Sequence, residues 1–345
     1  LINTPHQAES ERLIMRFRPR LLLAALAIAT FLIATAACGG AGGGGRIAFT
    51  SARDGNPEVY SAQSDGEDPQ RLTNTASAES MPAWSPNRQQ IAFLSDRNGL
   101  NDLWIMDLEG ESEQRAVEAE GERNQFAWAR DSKRIAYTSD QDGDVDVYVV
   151  DLEKNQQIRL TDFPGEEDLG GWSPNGEWVV FGVRTGDAQG IHKKNPLGVD
   201  EIQLTEKPDF SPQWAPKGDK IAFLSDRDGD LEIYVMEADG QEETNLSKKP
   251  GPDLDFDWSP DGRRIVFISE RDGNAEVYVA SLEGEVTRLT RNTVEERNPR
   301  WSASGGRIVF ASKADGDFDL YTMRSDGSDQ QRVTATEADD LTPDW

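Results

Sequence analysis

The stretch FDWSPDGRRIVFISERDGNAEVYVASLEGEVTRLT, Phe256 to Thr290, decides the fold. It reads as four short strands joined by three turns. FDWS is the first strand, and the reversal at Pro260-Asp261-Gly262 follows it, with proline presetting φ and glycine admitting a positive φ. Ile265-Val266-Phe267 forms the second strand. After Asp272-Gly273 the segment Glu276 to Ala280 is rich in β-branched and aromatic residues, as a half-buried strand requires. Glu283-Gly284 then turns the chain into a fourth strand, Arg288-Leu289-Thr290.

The unit recurs along the chain. The second strand returns at Ile47, Ile91, Ile135, Val179, Ile221, Ile265 and Ile308, and tryptophan returns at Trp84, Trp128, Trp172, Trp214, Trp258, Trp301 and Trp345. Both series have seven members spaced by 42 to 44 residues. Four antiparallel strands in a period of about 40–50 residues mark a propeller blade. The expected fold over residues 47–345 is therefore all-β, a seven-bladed β-propeller of four-stranded antiparallel blades. Its repeats open on a second strand at Ile47 and close on a first strand, Thr342 to Trp345. Pairing of those two completes one blade and removes edges that would otherwise template aggregation.

Residues 16–38, RFRPRLLLAALAIATFLIATAAC, have the basic start, apolar run and small-residue end of an export signal. Thr35-Ala36-Ala37-Cys38 resembles a lipobox, where bacterial lipoproteins are cleaved and acylated on the cysteine, although leucine is usual at the position of Thr35. Cys38 is the only cysteine in the chain and has no disulfide partner within it. The expected organisation is a start at Met15 with residues 1–14 upstream of it, a lipoprotein signal peptide over 15–38, a Gly-rich tether over 39–46 and the propeller over 47–345. An ordinary secretory signal or an uncleaved anchor helix is the alternative. The product is expected to be exported and lipid-anchored to the bacterial membrane, facing periplasm or cell exterior, with the lipid as its only membrane contact.

The 63 acidic residues outnumber the 36 basic ones for a formal charge of −27, which argues against a nucleic acid partner. With two histidines, the composition also argues against a transition-metal site built on imidazoles.

The order W-S-P-D-G, IVF, E-R-D-G, VYV, E-G, RLT closely resembles the repeat of the TolB-like (WD40-like) propellers, also met in relatives of dipeptidyl peptidase IV. The resemblance implies an envelope propeller that binds proteins. The type member of that family has an N-terminal α/β domain and six blades and binds a peptidoglycan-associated lipoprotein. This sequence differs in its lipobox-like cysteine and in its count of seven units, so that specific role is not transferred. Peptidase relatives add a hydrolase domain with a G-x-S-x-G nucleophile elbow, and no such motif occurs in residues 1–345.

Two acidic patterns compete as sites. In SDRDGDLEIYVMEADG, Ser225 to Gly240, Asp226, Asp228, Asp230 and Glu237 fall at positions 1, 3, 5 and 12 of a calcium loop. Position 6, which needs glycine, is Leu231. A two-residue Asp-Gly hairpin is the expected reading, and no cofactor is expected, calcium being the one the composition could support. The second pattern lies five residues before each tryptophan: Glu79, Arg123, Glu167, Asp209, Asp253, Glu296 and Asp340. The six acids form a candidate binding ring at the channel mouth, where like charges focus potential toward a basic peptide. The alternative is that each caps its own turn. Trp104 and Trp178 lie outside the tryptophan register, and His192 is expected on the surface. The function expected is a non-catalytic envelope lipoprotein whose propeller is a protein-binding platform, with an envelope protein or basic peptide as partner. A carbohydrate-active or hydrolytic enzyme using carboxylates at the channel mouth is the alternative.

Overall fold

The computed structural model describes residues 45–117 and 121–345. The expected signal peptide, Cys38 and most of the expected Gly-rich tether lie outside these residues. Among the described residues there are seven four-stranded antiparallel sheets and no helix. In chain order they are blade 2 (Glu79–Trp84, Gln90–Ser95, Asp102–Asp107, Gln114–Arg115), blade 3 (Phe126–Trp128, Arg134–Ser139, Asp146–Asp151, Gln156–Arg159) and blade 4 (Glu167–Trp172, Val179–Val183, Gly190–Lys194, Glu201–Gln203). Blade 5 (Asp209–Trp214, Lys220–Ser225, Glu232–Glu237, Thr244–Asn245), blade 6 (Asp253–Trp258, Arg264–Ser269, Glu276–Ser281, Val286–Arg288) and blade 7 (Glu296–Trp301, Arg307–Ser312, Asp319–Arg324, Gln331–Arg332) follow.

Blade 1 is the composite expected from the sequence. Asp340–Asp344 pairs antiparallel with Arg46–Ser51, which continues into Glu58–Gln63 and Gln70–Arg71. The strand begins at Arg46, one residue before Ile47, because the Arg46 guanidinium is held by Ser61 at 3.0 Å and by Asp68 at 2.8 Å. Trp345 Nε1 donates to the Gly45 carbonyl at 3.1 Å, clipping the first described residue to the last.

Second strands are apolar at their centres because each is flanked by strands on both edges and by neighbouring blades on both faces. Ile265, Val266 and Phe267 are fully buried. The tryptophans pack between blades: Trp258 joins Phe256 and Phe267 of its own blade with Ala222, Ile233 and Val235 of blade 5. Several also reach back to the preceding blade through the indole N–H, Trp128 to Ala83 O at 3.2 Å and Trp172 to Ala127 O at 3.1 Å. The repeated tryptophan is thus both packing layer and clip.

One expectation is corrected here. The Asp-Gly turns between second and third strands are not two-residue hairpins. Ser225 pairs with Glu232, leaving residues 226–231 as a six-residue loop. Gly229 N–H donates to Asp226 O at 3.0 Å, and only the glycine takes a positive φ, +108°. The extra length lets Arg227 fold back beneath the loop, its Nε donating to Ser225 Oγ at 2.8 Å.

Candidate binding face and central channel

Loops from second to third strands and loops from each fourth strand to the next blade emerge on one face. The six acids of the candidate ring open the first strands there, but they lie under the face. Glu79, Asp209, Asp253, Glu296 and Asp340 are fully buried, and Glu167 is nearly so. Four of them receive an arginine from the second-to-third-strand loop of the same blade. These pairs are Glu79 with Arg97 (3.2 Å), Asp209 with Arg227 (2.5 Å), Asp253 with Arg271 (2.9 and 3.0 Å) and Asp340 with Arg53 (3.2 Å). Each of those arginines also bonds the serine that ends the second strand.

Glu167 and Glu296 lack that arginine, because the corresponding loop residues are Thr185 and Ala314. One oxygen of each is met by a hydroxyl instead: Thr161 donates to Glu167 Oε2 at 2.9 Å, and Thr290 donates to Glu296 Oε2 at 2.9 Å. Burial pushes the Glu167 carboxyl up to about 8 and that of Glu296 up to about 7. Arg123, the exception in the series, turns to Asp102 of blade 2 at 2.5 Å. The loop residue of its own blade is Gln141, where an arginine would place two cations together. The alternative of turn capping is close to this arrangement, with side-chain partners in place of backbone ones.

A different position faces the axis. The first strands have no partner on their inner edge, and those of blades 6, 7, 1 and 2 lie against one another in sequence. Those of blades 2, 5, 6, 7 and 1 carry a bulge at which Met81, Ser211, Asp255, Asn298 and Thr342 take positive φ values of 36° to 52°. The bulge, two or three residues ahead of the tryptophan, re-aims the side chains on either side of it. Asp255, Asp257, Arg300 and Asp344 are consequently brought together where three blades meet. Arg300 Nη1 donates to Asp255 Oδ1 at 2.8 Å, and Asn298 Nδ2 donates to Asp255 Oδ2 at 2.8 Å. Trp301 N–H donates to Asp257 at 2.8 Å, and Trp84 N–H donates to Asp344 at 2.7 Å.

Arg300 is thus bonded to Asp255 and acts on Asp257 and Asp344 through its charge, Arg88 also acting on Asp344, and the side chains of Arg300 and Asp255 remain 32% and 29% exposed. Burial, together with Asp344 and Asp255, pushes the Asp257 carboxyl up to about 6 against the opposing pull of Arg300. Asp344 is raised for the same leading reason, burial. On the other side of the channel the residue before the tryptophan is Ala83, Ala127, Gly171 or Gln213. The channel wall is therefore acidic on blades 6 and 1, with Arg300 of blade 7 between them, and small or neutral along blades 2 to 5 at this position. The signal was present in the sequence: five residues before the tryptophan the repeat is nearly uniform, and one residue before it the repeat diverges.

Trp104 occupies the third-strand position of Tyr60, Tyr148, Tyr234, Tyr278 and Tyr321, covered by the Arg97 guanidinium 4.1 Å from its ring. Trp178 and Trp214 flank the Lys193 ammonium at 5.3 and 5.9 Å in a cleft between blades 4 and 5. His192 is not a surface residue. It is 2% exposed, stacks on Phe181 with centroids 5.6 Å apart, and bonds Ala188 O through Nε2 at 2.7 Å. It fills the aromatic position that tyrosine fills in other blades, so its flat ring is selected for packing. Among the described residues no three His, Cys, Asp or Glu converge to hold a metal ion.

The family model of the TolB beta propeller domain matches residues 72–209 and 205–345. A 44-residue segment, 13% of the chain, is 48% identical to the Tol-Pal system protein TolB of Desulfosudis oleivorans and spans 10% of that protein. Among solved structures, TolB from Acinetobacter baumannii is similar over 87% of this chain and 66% of its own, at 20% identity and a TM-score of 0.62. The acylaminoacyl peptidase of Pyrococcus horikoshii is similar over 81% of this chain and 48% of its own, at 18% identity and a TM-score of 0.63. At these identities the structural likenesses concern the fold.

Proposed function

The chain belongs to the TolB beta propeller family, and from that premise we propose that it is a non-catalytic cell-envelope protein whose propeller binds another protein, drawing a positively charged segment to its axial channel. The observation that carries this is the cluster of Asp255, Asp257 and Asp344 around Arg300, with Arg88 also acting on Asp344, and with Arg300 and Asp255 partly exposed toward the channel. Concave acidic walls with restricted solvent focus potential and favour a lysine- or arginine-bearing segment in both rate and orientation. Glu79, Glu167, Asp209, Asp253, Glu296 and Asp340 enter this reading as the buried support of the loops around the mouth. Acylation at Cys38 would tether the propeller to the membrane through a short Gly-rich arm, leaving the face free to meet its partner.

Affinity capture from envelope extract tests the proposal. The wild-type propeller should retain a partner that the Asp255→Asn/Asp257→Asn/Asp344→Asn variant loses. Equal recovery by both would remove the channel from the account. A second reading, a glycan- or peptide-cleaving enzyme, draws on Asp257 near 6 beside Asp255: two acids in unlike environments are what acid–base catalysis uses. Turnover abolished by Asp257→Asn alone would favour that reading over binding.

A further inference from the structure

Five blades place an arginine in the fourth strand opposite the third-strand aromatic, as Arg71 opposite Tyr60 and Arg288 opposite Tyr278. Its guanidinium serves the acid that opens the third strand and reaches toward the aspartate of the preceding turn. Arg71 meets Glu58 at 2.8 Å and Asp54 at 3.2 Å, and Arg288 meets Glu276 at 2.7 Å and Asp272 at 3.4 Å. Arg115, Arg159 and Arg332 pair likewise with Asp102, Asp146 and Asp319. Blade 4 dispenses with both charges, having Gly190 and Gln203 in those places.

Blade 5 keeps the acids and omits the base. Asn245 stands opposite Tyr234, and its amide donates to Glu232 Oε2 at 2.5 Å and to Asp228 Oδ2 at 3.3 Å. An amide is shorter than an arginine and carries no charge, and a cleft of about 320 Å³ lies there, lined by Asp228, Asp230, Glu232, Asn245 and the 248–250 loop. Glu232 is only 6% exposed, and among the described residues its carboxylate is bonded by the uncharged Asn245 amide and by no guanidinium. Lys248 and Lys249 are exposed and pair with none of these carboxylates. In the two sister blades with glutamate at this position, Glu58 and Glu276 are held below the usual range despite burial, with help from their arginines, whereas burial leaves Glu232 above it.

We propose that the blade 5 cleft takes an arginine side chain presented by a partner protein, supplying in trans the guanidinium that five other blades carry in cis. The inference rests on the protein-binding reading above and adds a second contact on the same face, outward from the channel. Arginine is favoured over lysine because its planar fork matches two carboxylates at once, as Arg71 and Arg288 do in their own blades.

The test uses the whole propeller, amide-resolved NMR and a blocked arginine amide, with the blocked lysine amide alongside. Saturable shifts around Glu232 and Asn245 are expected with arginine, with binding about tenfold weaker for lysine. Asn245→Arg should fill the cleft, abolish those shifts and raise Tm by about 2 °C. The Gln203→Arg control in blade 4, which has no matching acids, should leave arginine binding unchanged. Binding that persists in Asn245→Arg overturns the inference. So does a wild-type response to calcium alone that arginine does not compete with, since the cleft would then be a cation site of another class. The Asp255→Asn/Asp257→Asn/Asp344→Asn variant should still show the arginine response, so failure of the channel proposal and failure of this one are distinguishable.

Discussion

Arg271→Met is the most informative single perturbation of the face. Arg271 and Asp253 are 2% and 0% exposed, and the guanidinium bonds both carboxylate oxygens at 2.9 and 3.0 Å. It also donates to Ser269 Oγ at 2.7 Å and to Ser247 O at 3.2 Å, and lies over the Phe267 and Tyr278 rings. Methionine keeps much of the stem's packing and removes the charge, leaving Asp253 buried without a counter-ion. Breaking a buried pair from one side costs about 3–5 kcal/mol, which for roughly 300 ordered residues lowers Tm by about 5–8 °C. Calorimetry and urea unfolding at pH 7 measure it. Adding Asp253→Asn should recover most of the loss, because both charges are then gone. Burial already raises the Asp253 carboxyl, so in Arg271→Met the loss should shrink as pH falls and the proton binds. A loss below about 1 kcal/mol, or a double variant no better than the single, refutes the view that these acids are paired supports of the fold.

Other outcomes follow from the same geometry. Glu167 has its ordinary value of 4.5 raised to about 8 by burial, so the folded state holds the extra proton and stability declines as pH rises across that interval. Glu167→Gln should flatten that decline by roughly 3–4 kcal/mol between pH 5 and pH 8, read by urea unfolding; an unchanged slope counts against the assignment. Trp345→Ala should cost about 3–5 kcal/mol, since the indole is 6% exposed among Ile47, Phe49 and Tyr60 in the composite blade. A near-neutral effect in thermal melts would argue against closure through that strand. Metabolic labelling with a fatty acid should mark the wild-type chain and not Cys38→Ser; equal labelling would place the anchor elsewhere.

The fold was legible because its determinants repeat. Seven tryptophans and seven Ile-Ala-Phe-like strands in one period specify blade, strand order and closure, and each supports the others. The site was less legible for the same reason. Glu79 and its six counterparts drew attention by recurring, yet a residue that recurs in every blade serves what every blade needs, here a buried bond to an arginine or hydroxyl. Asp257, Arg300 and Asp344 sit one residue before the tryptophan, at a position that varies from blade to blade, and no linear spacing shows that three blades converge on them. The bulge that aims them depends on positive φ at Asp255, Asn298 and Thr342, which side-chain chemistry alone does not announce. His192 was misplaced because histidine is usually sited by its polarity, whereas here its ring shape holds it between Phe163 and Phe181. Asn245 becomes meaningful only when aligned with Arg71 and Arg288 in the paired strands.

The channel claim is tested most directly by calorimetric titration of a short lysine-rich peptide into the propeller and into the Asp255→Asn/Asp257→Asn/Asp344→Asn variant, at low and moderate salt. Binding to the wild type is expected to weaken as salt rises and to be about tenfold poorer in the variant. Equal affinity of the two proteins, or binding indifferent to salt, would contradict the channel claim.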